Sequence, residues 1–308
     1  MKPILTVFTP SYNRAVLLNR AYEALLRQSC FSFIWLVIDD GSTDNTRQFV
    51  ERWLQEPQPF KIVYHYQENG GLHTGYNAAI ERLNTELAVC IDSDDYLPDN
   101  AVERIISHWK ECGSEEYAGI IGLDYEPDGK LIGDFLPDQK SINLIDLAVG
   151  RYAIKNGDRK IVVRSDLYRQ VAPMPVFAGE KNFNPHYLHL LISKEYDFLV
   201  LNENLCFVDY QKGGMSSQIF WQYFNSPRSF AEIRKLALSF PGTTKRYKLR
   251  HSIHYVSSCI LSRRRNGLKN PDWAILALAA PFGLALSALI LYKVWRMNQA
   301  SRKAAQQE

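Results

Sequence analysis

The feature of this sequence that most constrains its fold is an alternation of short apolar runs with stretches of helical spacing over residues 3–123. The four apolar runs are ILTVFT, FIWLVI, KIVYHY and LAVCI. After each run, apolar residues recur three or four positions apart, as do Leu17, Ala21 and Leu25. Continuous apolar strands that alternate with helices are typical of βαβ units. The pattern therefore predicts an α/β fold whose mostly parallel central sheet is flanked by helices.

Acidic residues follow two of these predicted strands. They are Asp39 and Asp40 in VIDDGSTDNT, and Asp92, Asp94 and Asp95 in CIDSDDYLP. Ligands of open parallel sheets bind beyond the carboxyl ends of the strands, and crowded carboxylates there need a compensating positive charge. Because carboxylate oxygens suit Mg²⁺ or Mn²⁺, which take further ligands from phosphates, we expect a divalent metal that carries a diphosphate.

Each acidic motif also has a simpler interpretation. For an isolated D-x-D sequence, a solvated turn is the better explanation. In DDGSTD, Gly41 suits a turn, and Ser42 or Asp44 suits the cap of the next helix. Asp95 is best interpreted as a helix cap before Pro98.

Composition indicates a folded chain that stays in the cytoplasm. Of its 308 residues, 46% are apolar and 12% aromatic. The five cysteines are an odd set without a C-x-x-C pair, which argues against a disulfide framework or a zinc site. The start of the chain, MKPILTVFTP, lacks the long apolar stretch and cleavage site of a signal peptide.

The C-terminal part carries most of the positive charge. Of the 36 Lys and Arg and the 33 Asp and Glu in the chain, residues 226–308 contain 15 and 3, which leaves 21 and 30 for the rest. This asymmetry predicts that the C-terminal part meets a polyanion, either nucleic acid or an anionic membrane. The uncharged 20 residues at 273–292 argue for the membrane and against nucleic acid.

The apolar segment 273–292 is long enough to span a bilayer. Both of its flanks, RRRNGLK before it and KVWR after it, are basic, whereas a single span would place one basic flank on the far side. Since Pro281 and Gly283 lie near its middle, we expect a kinked or re-entrant segment that returns to the cytoplasmic face. A buried pair of core helices is the alternative.

Four motifs in register carry a family resemblance. TPSYNR, VIDDGSTDNT, NGGLHTGYNAAI and IDSDDYLP occur in the order and approximate spacing of the family 2 glycosyltransferases, which have the GT-A fold. The resemblance is close over the first 125 residues or so and looser beyond them. It implies a GT-A domain over residues 1–225, with a nucleotide-sugar-binding half at 1–125 and an acceptor-side half at 126–225. Residues 226–308 form a basic helical region with the apolar segment.

The resemblance also implies roles for individual residues. Pro10, Tyr12 and Arg14 would border the nucleotide base, and Asp40, with Asp39 beside it, would contact uracil. Asp92 and Asp94 would bind the metal, with Asp92 and Ser93 also close to the donor sugar. The remaining donor contact is His73, which would reach the pyrophosphate where Gly70 and Gly71 begin a helix, although a structural role is commoner for a lone histidine.

The catalytic base implied by the resemblance is Glu180. An acceptor hydroxyl must lose a proton in an inverting single displacement, and a carboxylate can take it. The family often has an acid pair at this place, whereas this chain has Lys181 after Glu180. The alternative is an exposed loop acid. Asp158 and Lys160 in GDRK would lie near the acceptor, with ordinary surface charges as the better interpretation.

These observations predict an inverting, metal-dependent hexosyltransferase. It would move a sugar from a nucleotide-sugar donor, with a UDP-sugar favoured, to a lipid-linked or polysaccharide acceptor of the cell surface. Its partners would include an anionic membrane surface, at the cytoplasmic face of the inner membrane, and no nucleic acid. Two alternatives remain open: a polyprenyl-phosphate glycosyl synthase, and a membrane subunit that binds a sugar nucleotide without turnover.

Overall fold

The computed structural model describes residues 2–155, 157–211, 218–263 and 272–304. Its first part alternates strands and helices, as predicted. The elements are β1 (Leu5–Ser11), α1 (Ala15–Leu26), β2 (Phe33–Asp39), α2 (Thr46–Gln55), β3 (Lys61–Tyr66), α3 (Leu72–Glu81), β4 (Leu87–Cys90) and α4 (Ala101–Cys112). Every residue of β1 and β2 is buried, which explains why these strands are continuous apolar runs rather than alternating ones.

The elements that follow are more varied in length. They are β5 (Tyr117–Tyr125), β6 (Ser141–Ile142), α5 (Leu144–Ala148), β7 (Arg159–Arg164), α6 (Ser165–Val171), α7 (His186–Ile192), β8 (Asp197–Phe207), α8 (Ile219–Asn225), α9 (Pro227–Leu238), α10 (Lys245–Ser262) and α11 (Trp273–Ala304).

Among the described residues, eight strands form one sheet in the order β3-β2-β1-β4-β7-β5-β8-β6. Strands β3, β2, β1 and β4 are parallel, whereas β7 lies antiparallel between β4 and β5. Because β5 pairs in parallel with β8, the ends of β1, β2, β4, β5 and β8 all point to one edge, where β7 begins. We call this edge the carboxyl rim. The mixed, mostly parallel sheet flanked by helices confirms the predicted fold class.

Aromatic stacking holds the first two helices against the sheet. The ring of Tyr22 in α1 lies 4.3 Å from that of Trp53 in α2 and 5.9 Å from that of Trp35 in β2. Both tryptophans are buried, and Trp35 Nε1 donates a hydrogen bond of 3.1 Å to Thr9 Oγ1. Large buried rings contribute much of the apolar burial that stabilises a domain. The core thus fixes the strands whose ends form the carboxyl rim.

The chain divides into two compact units. The first unit contains Met1–Met174 and Leu188–Gln211, and the second contains Pro175–Tyr187 and Lys212–Glu308. The sheet lies in the first unit, and α8 to α11 lie in the second. The predicted domain boundary at residue 225 stays a prediction, and the compact units assign residues 175–187, with Glu180, to the helical unit.

The apolar segment 273–292 lies within one helix, α11, which runs for 32 residues through Pro281. Within the described part of the chain, one helix is long and apolar enough to cross a membrane, by length and composition alone. The expected re-entrant return is wrong, because a chain that turns back must leave the helix and this one does not. Most of the basic flank at 263–269 lies outside the described residues.

Gly119 provides a test of the sheet. Its φ is +149°, and a Cβ added there would lie 2.0 Å from the carbonyl oxygen of Val162 in β7. Since backbone atoms of a central strand cannot move aside, Gly119→Ala should lower the free energy of unfolding by about 3 kcal/mol or more.

The matched control is Gly129→Ala, where φ is +87° and no atom lies within 4 Å of the added Cβ. The Gly129→Ala variant keeps the conformational cost of a positive φ, about 1–2 kcal/mol, and lacks the steric overlap. Urea unfolding followed by tryptophan fluorescence measures both. Equal losses for the two variants would contradict the role of the close approach.

Candidate functional site

Strand register brings the predicted site segments together. Ser11 at the end of β1 pairs with Asp39 at the end of β2, and Phe8 pairs with Cys90 at the end of β4. The loops that leave these strands, 11–14, 40–45 and 91–98, therefore emerge side by side at the carboxyl rim. This edge is where open parallel sheets bind ligands.

The first two loops are joined by hydrogen bonds. Asn13, whose φ is 52°, accepts a hydrogen bond from Thr43 N at 2.7 Å, and its own N–H donates to Ser42 Oγ at 2.9 Å. Asp44 accepts from Ala15 N and Thr46 N, and these bonds lower its pKa although partial burial opposes them. Asn13 was not predicted, although an asparagine before a helix start is a usual signal for such a turn.

The side chains predicted to border a base differ in exposure. Pro10 is buried in β1, Arg14 is partly buried before α1, and Tyr12 is 48% exposed. An exposed aromatic ring at the rim is free to stack on a planar ligand. Tyr12 is therefore the member of this trio with the best access to a nucleotide, and all three roles stay predictions.

Asp39 and Asp40 are buried and bonded within the protein. Asp39 accepts from Ser42 N at 2.8 Å and from Tyr64 Oη at 2.7 Å. Burial and the bond to Asp39 raise the pKa of Tyr64, so this hydroxyl stays protonated. The carboxylate of Asp39 thus fixes the turn after β2.

The carboxylate of Asp40 holds the start of α3. It accepts from Gly70 N at 2.9 Å, Gly71 N at 2.8 Å and Gln67 Nε2 at 2.7 Å. An acid with this many donors around it ties the β2 loop to the helix start. The predicted contact of Asp40 with uracil stays a prediction.

His73 lies in the first turn of α3 and is completely buried. The N–H groups of Gly70 and Gly71, which precede this helix, both donate to the carboxylate of Asp40. The contact of His73 with a pyrophosphate stays a prediction.

The D-x-D loop offers two accessible carboxylates. Asp92 is exposed, and Ser93 and Asp94 are partly exposed. Protein atoms that displace water raise the pKa of Asp92; nearby Lys160 opposes this shift and Asp94 adds to it. In the part of the chain that the structure describes, no group of three or more His, Cys, Asp or Glu side chains is placed to hold a metal ion. A metal bound by Asp92 and Asp94 would therefore take most of its ligands from groups other than these side chains.

Asp95 faces inward rather than capping a helix. The N-cap of α4 is Asn100, so the interpretation of Asp95 as a cap is wrong. Asp95 is 4% exposed; its Oδ1 accepts from Asp209 N at 3.3 Å, and its Oδ2 lies 3.9 Å from Lys160 Nζ. Burial raises its pKa to about 8, although Lys160 opposes the shift.

Lys160 and Asp124 complete a buried cluster that sequence reasoning missed. Lys160 in β7 is buried, contrary to the expected surface charge, and Asp124 Oδ1 has no hydrogen-bond partner among the described residues. Burial alone would lower the pKa of Lys160, but Asp124, Asp95 and Asp92 raise it overall. Burial raises the pKa of Asp124 to about 6, against the effect of Lys160. The cluster therefore places a permanent cation behind the D-x-D loop.

Arg20 clamps the same loop from α1. Its guanidinium donates to Asp209 Oδ2 at 2.5 Å and to the carbonyl oxygen of Asp94, and it lies 5.0 Å from the ring of Tyr96. Tyr96 is bridged in turn to Phe207 of β8 by two backbone hydrogen bonds. The loop is thus fixed to α1 and β8, a role for Arg20 that no local sequence signal marked.

Glu180 lies in the second unit, at the start of α9. Its Oε1 accepts from Arg228 N at 2.9 Å and Arg228 Nε at 3.1 Å, and its Oε2 accepts from Ser229 N at 2.8 Å and Ser229 Oγ at 2.7 Å. It is buried, so the alternative of an exposed loop acid is wrong. With four donors around it, this carboxylate satisfies the first N–H groups of the helix. Its role as the base stays a prediction without support from this geometry.

Comparisons with known proteins agree with this arrangement. Residues 6–131 match the family model described as Glycosyl transferase family 2. The chain is 27% identical over 132 residues to the chondroitin synthase of Pasteurella multocida (strain Pm70), a match that covers 43% of this chain and 14% of that protein. It is 30% identical over 110 residues to TuaG of Bacillus subtilis (strain 168), named for teichuronic acid biosynthesis, covering 36% of this chain and 43% of that protein. The chain spans less than half the length of these two relatives.

Two solved structures share the fold. TarS of S. aureus (residues 1–349), in complex with UDP-GlcNAc, has a TM-score of 0.59 at 19% identity and covers 91% of this chain and 79% of that chain. The mannosyltransferase PcManGT from Pyrobaculum calidifontis, in complex with GDP-Man and Mn²⁺, has a TM-score of 0.57 at 18% identity. The match covers 96% of this chain and 83% of that chain. The chain has the GT-A fold.

Asp124 gives a prediction about pH. Its pKa in the folded protein, about 6, lies above the usual 3.8, so the folded state binds a proton more tightly than the unfolded state. The stability that this proton contributes is complete below pH ~4 and is lost as the pH rises through ~6. Asp124→Asn, which mimics the protonated form, should match the wild type near pH ~4 and exceed its free energy of unfolding by about 2–3 kcal/mol near pH ~7.

Urea unfolding at several pH values, in the presence of a chelator, measures this difference. Asp138→Asn, which changes an exposed carboxylate in the same way, is the control. A stability difference between Asp124→Asn and the wild type that is constant with pH would contradict the shifted pKa.

Glu180 gives a second prediction. Glu180→Gln removes the charge that faces Arg228 and turns an amide donor toward existing donors. Because the carboxylate is buried and Arg228 largely so, we expect the free energy of unfolding of the second unit to fall by about 2–4 kcal/mol. Urea unfolding followed by tryptophan fluorescence measures it, with the exposed Glu195→Gln as control. A variant as stable as the wild type would refute the capping role.

Proposed function

We propose that the protein, whose residues 6–131 match the family model described as Glycosyl transferase family 2, belongs to that family and transfers a hexose from a nucleotide-sugar donor to a cell-surface glycan or its lipid-linked precursor. The observation that carries the proposal is the D-x-D loop: two accessible carboxylates at the carboxyl rim, clamped by Arg20 and backed by Lys160. The names of the relatives, chondroitin synthase and a teichuronic acid enzyme, support a surface glycan as the product.

The donor is a nucleotide sugar, and we favour a UDP-sugar. Two proteins of the same fold bind such donors, UDP-GlcNAc in TarS and GDP-Man in PcManGT. In the proposal, Tyr12, with Pro10 and Arg14 beside it, borders the base, and Asp39 and Asp40 shape its pocket through the turn after β2 and the start of α3. Asp92, Ser93 and His73 face the sugar and the diphosphate.

The D-x-D carboxylates suit a divalent cation, Mn²⁺ or Mg²⁺. Within the described residues, no hydrogen bond or ion pair engages the carboxylate of Asp94, and the side chain of Asp92 is exposed two positions before it. Asp94 and Asp92 would hold the metal, with diphosphate oxygens and water as its other ligands. When bound, the metal stabilises the negative charge on the departing nucleoside diphosphate.

The side chains around the loop keep it in place during the reaction. Arg20 holds the carbonyl of Asp94, and Lys160 limits the repulsion among Asp92, Asp95 and Asp124. In an inverting displacement the acceptor hydroxyl also loses a proton to a base. Glu180 remains our candidate for this base, on the resemblance. Loss of transfer in Glu180→Gln at an unchanged free energy of unfolding would support this role. Loss of both transfer and stability would indicate the capping role.

The test is nucleotide release from UDP-, GDP- and dTDP-sugars, with detergent-solubilised membrane lipid as acceptor. With Mn²⁺ we expect release from one donor class, abolished by EDTA and reduced at least ~100-fold in Asp94→Asn, because the charge on the leaving group is then poorly stabilised. The control is Asp99→Asn, an exposed acid just beyond the loop. Release that is unchanged in Asp94→Asn and in EDTA would contradict the proposed site.

Membrane attachment belongs to the same proposal. A lipid-linked acceptor lies in a bilayer, and the basic C-terminal region with its apolar helix would hold the enzyme at the cytoplasmic face of the inner membrane.

A further inference from the structure

The helix α11 packs on α10 through a narrow stripe in its middle. Gly283 lies so close to α10 that an added Cβ would be 2.6 Å from Val256 Cγ1 and 3.1 Å from the carbonyl oxygen of Ile253. One turn later, Ser287 Oγ donates to Ser257 Oγ at 3.0 Å. The contact therefore joins the centre of the apolar segment 273–292 to residues 253–257 of α10.

The rest of α11 is exposed and apolar. Its buried residues follow one another at intervals of three and four along the stripe. They are Ala279, Gly283, Ser287, Ile290 and Val294. Around them, large apolar side chains are exposed from Trp273 to Met297, among them Trp273 at 74%, Leu284 at 61% and Trp295 at 56%. An apolar surface this long marks an interaction site.

α10 carries charge one turn before its contact with the stripe. Arg250 precedes Ile253 by one turn of α10, and His251 in that turn accepts a hydrogen bond of 3.4 Å from Arg234 of α9. If α11 crossed a bilayer, its centre would lie at the middle of the hydrocarbon, and α10 would carry Arg250 there and draw Arg234 with it. Charged side chains at that depth are strongly unfavourable. The packing of α10 is therefore incompatible with a span.

Charge identifies the surface that covers the exposed face. The exposed side chains of α10 and α11 include a set of bases, Lys245, Arg246, Arg250, Lys293 and Arg296. Residues 226–308 contain only 3 acids against 15 bases. Apolar contact flanked by bases is the pattern of helices that lie in the surface of an anionic bilayer.

We propose that α11 lies in the plane of an anionic bilayer surface, its exposed apolar face in the acyl chains and α10 on its aqueous side, and does not cross the membrane. The exposed bases of α10 and α11 then stay on one side, at the level of the headgroups. The inference rests on the membrane attachment proposed above and specifies its geometry.

Depth measurement on the full-length protein tests this. The protein is bound to vesicles of phosphatidylglycerol and phosphatidylcholine. Their lipids carry bromine, which quenches tryptophan fluorescence, either near the headgroup or near the end of the acyl chain. Three reporters are compared, Trp273, Trp295 and the variant Leu284→Trp, with Trp273→Phe, Trp295→Phe and the unmodified protein as their references. An in-plane helix places all three at the same shallow depth, so that bromine near the headgroup quenches each of them best.

A charge variant tests the choice of partner. Lys245→Glu combined with Arg246→Glu should weaken binding to these vesicles on the order of tenfold or more at low salt. The matched control is Lys110→Glu with Lys194→Glu, two exposed bases of the first unit, which should bind as the wild type does.

Three results would overturn the inference. Deeper quenching of Leu284→Trp than of both ends would show a span and leave membrane attachment standing. Absence of binding to the vesicles would contradict the proposed membrane attachment as well. The proposed transferase activity would still be tested separately by the nucleotide-release assay. Oligomers in sedimentation that shield Leu284→Trp without lipid would assign the face to a second copy of the chain.

Discussion

Burying a carboxylate without a partner is costly, and the carboxyl rim depends on how each of its acids avoids that cost. Asp39 and Asp40 accept hydrogen bonds from N–H and O–H groups of neighbouring loops, and Asp95 lies beside Lys160. The carboxylates of Asp92 and Asp94 are instead accessible at the rim, and within the described residues no N–H or O–H group donates to them. The acids that do accept such bonds fix the loops around the proposed metal site. In the second unit, the buried carboxylate of Glu180 likewise accepts hydrogen bonds from N–H groups at the start of α9.

The parts of this design that follow from short-range pattern could be predicted from the sequence. The first eight elements follow the alternation of apolar runs and helical spacing, and the rim follows from parallel pairing. Lys160 could not be predicted, because it lies 65 positions beyond Asp95 and reaches it only through the antiparallel insertion of β7 between β4 and β5. Arg20 was missed for a similar reason. Helical spacing places it in α1 but does not reveal that its side chain reaches Asp94 and Asp209, which are distant in sequence.

The C-terminal region shows the opposite limit of sequence reasoning. Composition identifies a helix that is long and apolar enough to cross a membrane, but the orientation of that helix depends on what packs beside it. Ser257 and Val256 belong to a different helix, and only their contact with Gly283 and Ser287 ties the charged α10 to the centre of the apolar segment. A re-entrant segment would keep both basic flanks on one side, and the in-plane helix proposed above meets the same requirement.

The place of β7 in the sheet separates the unit of evolutionary relationship from the unit of folding. The family match ends at residue 131, yet β4 is bordered on one side by β7, which begins at Arg159. A ribosome that has released only the matched segment has thus produced β4 with one row of backbone donors and acceptors unpaired, the state most open to pairing with another chain. This edge is paired only after β7 has been synthesised, so until then the nascent chain exposes an unpaired strand edge that ends at the carboxyl rim.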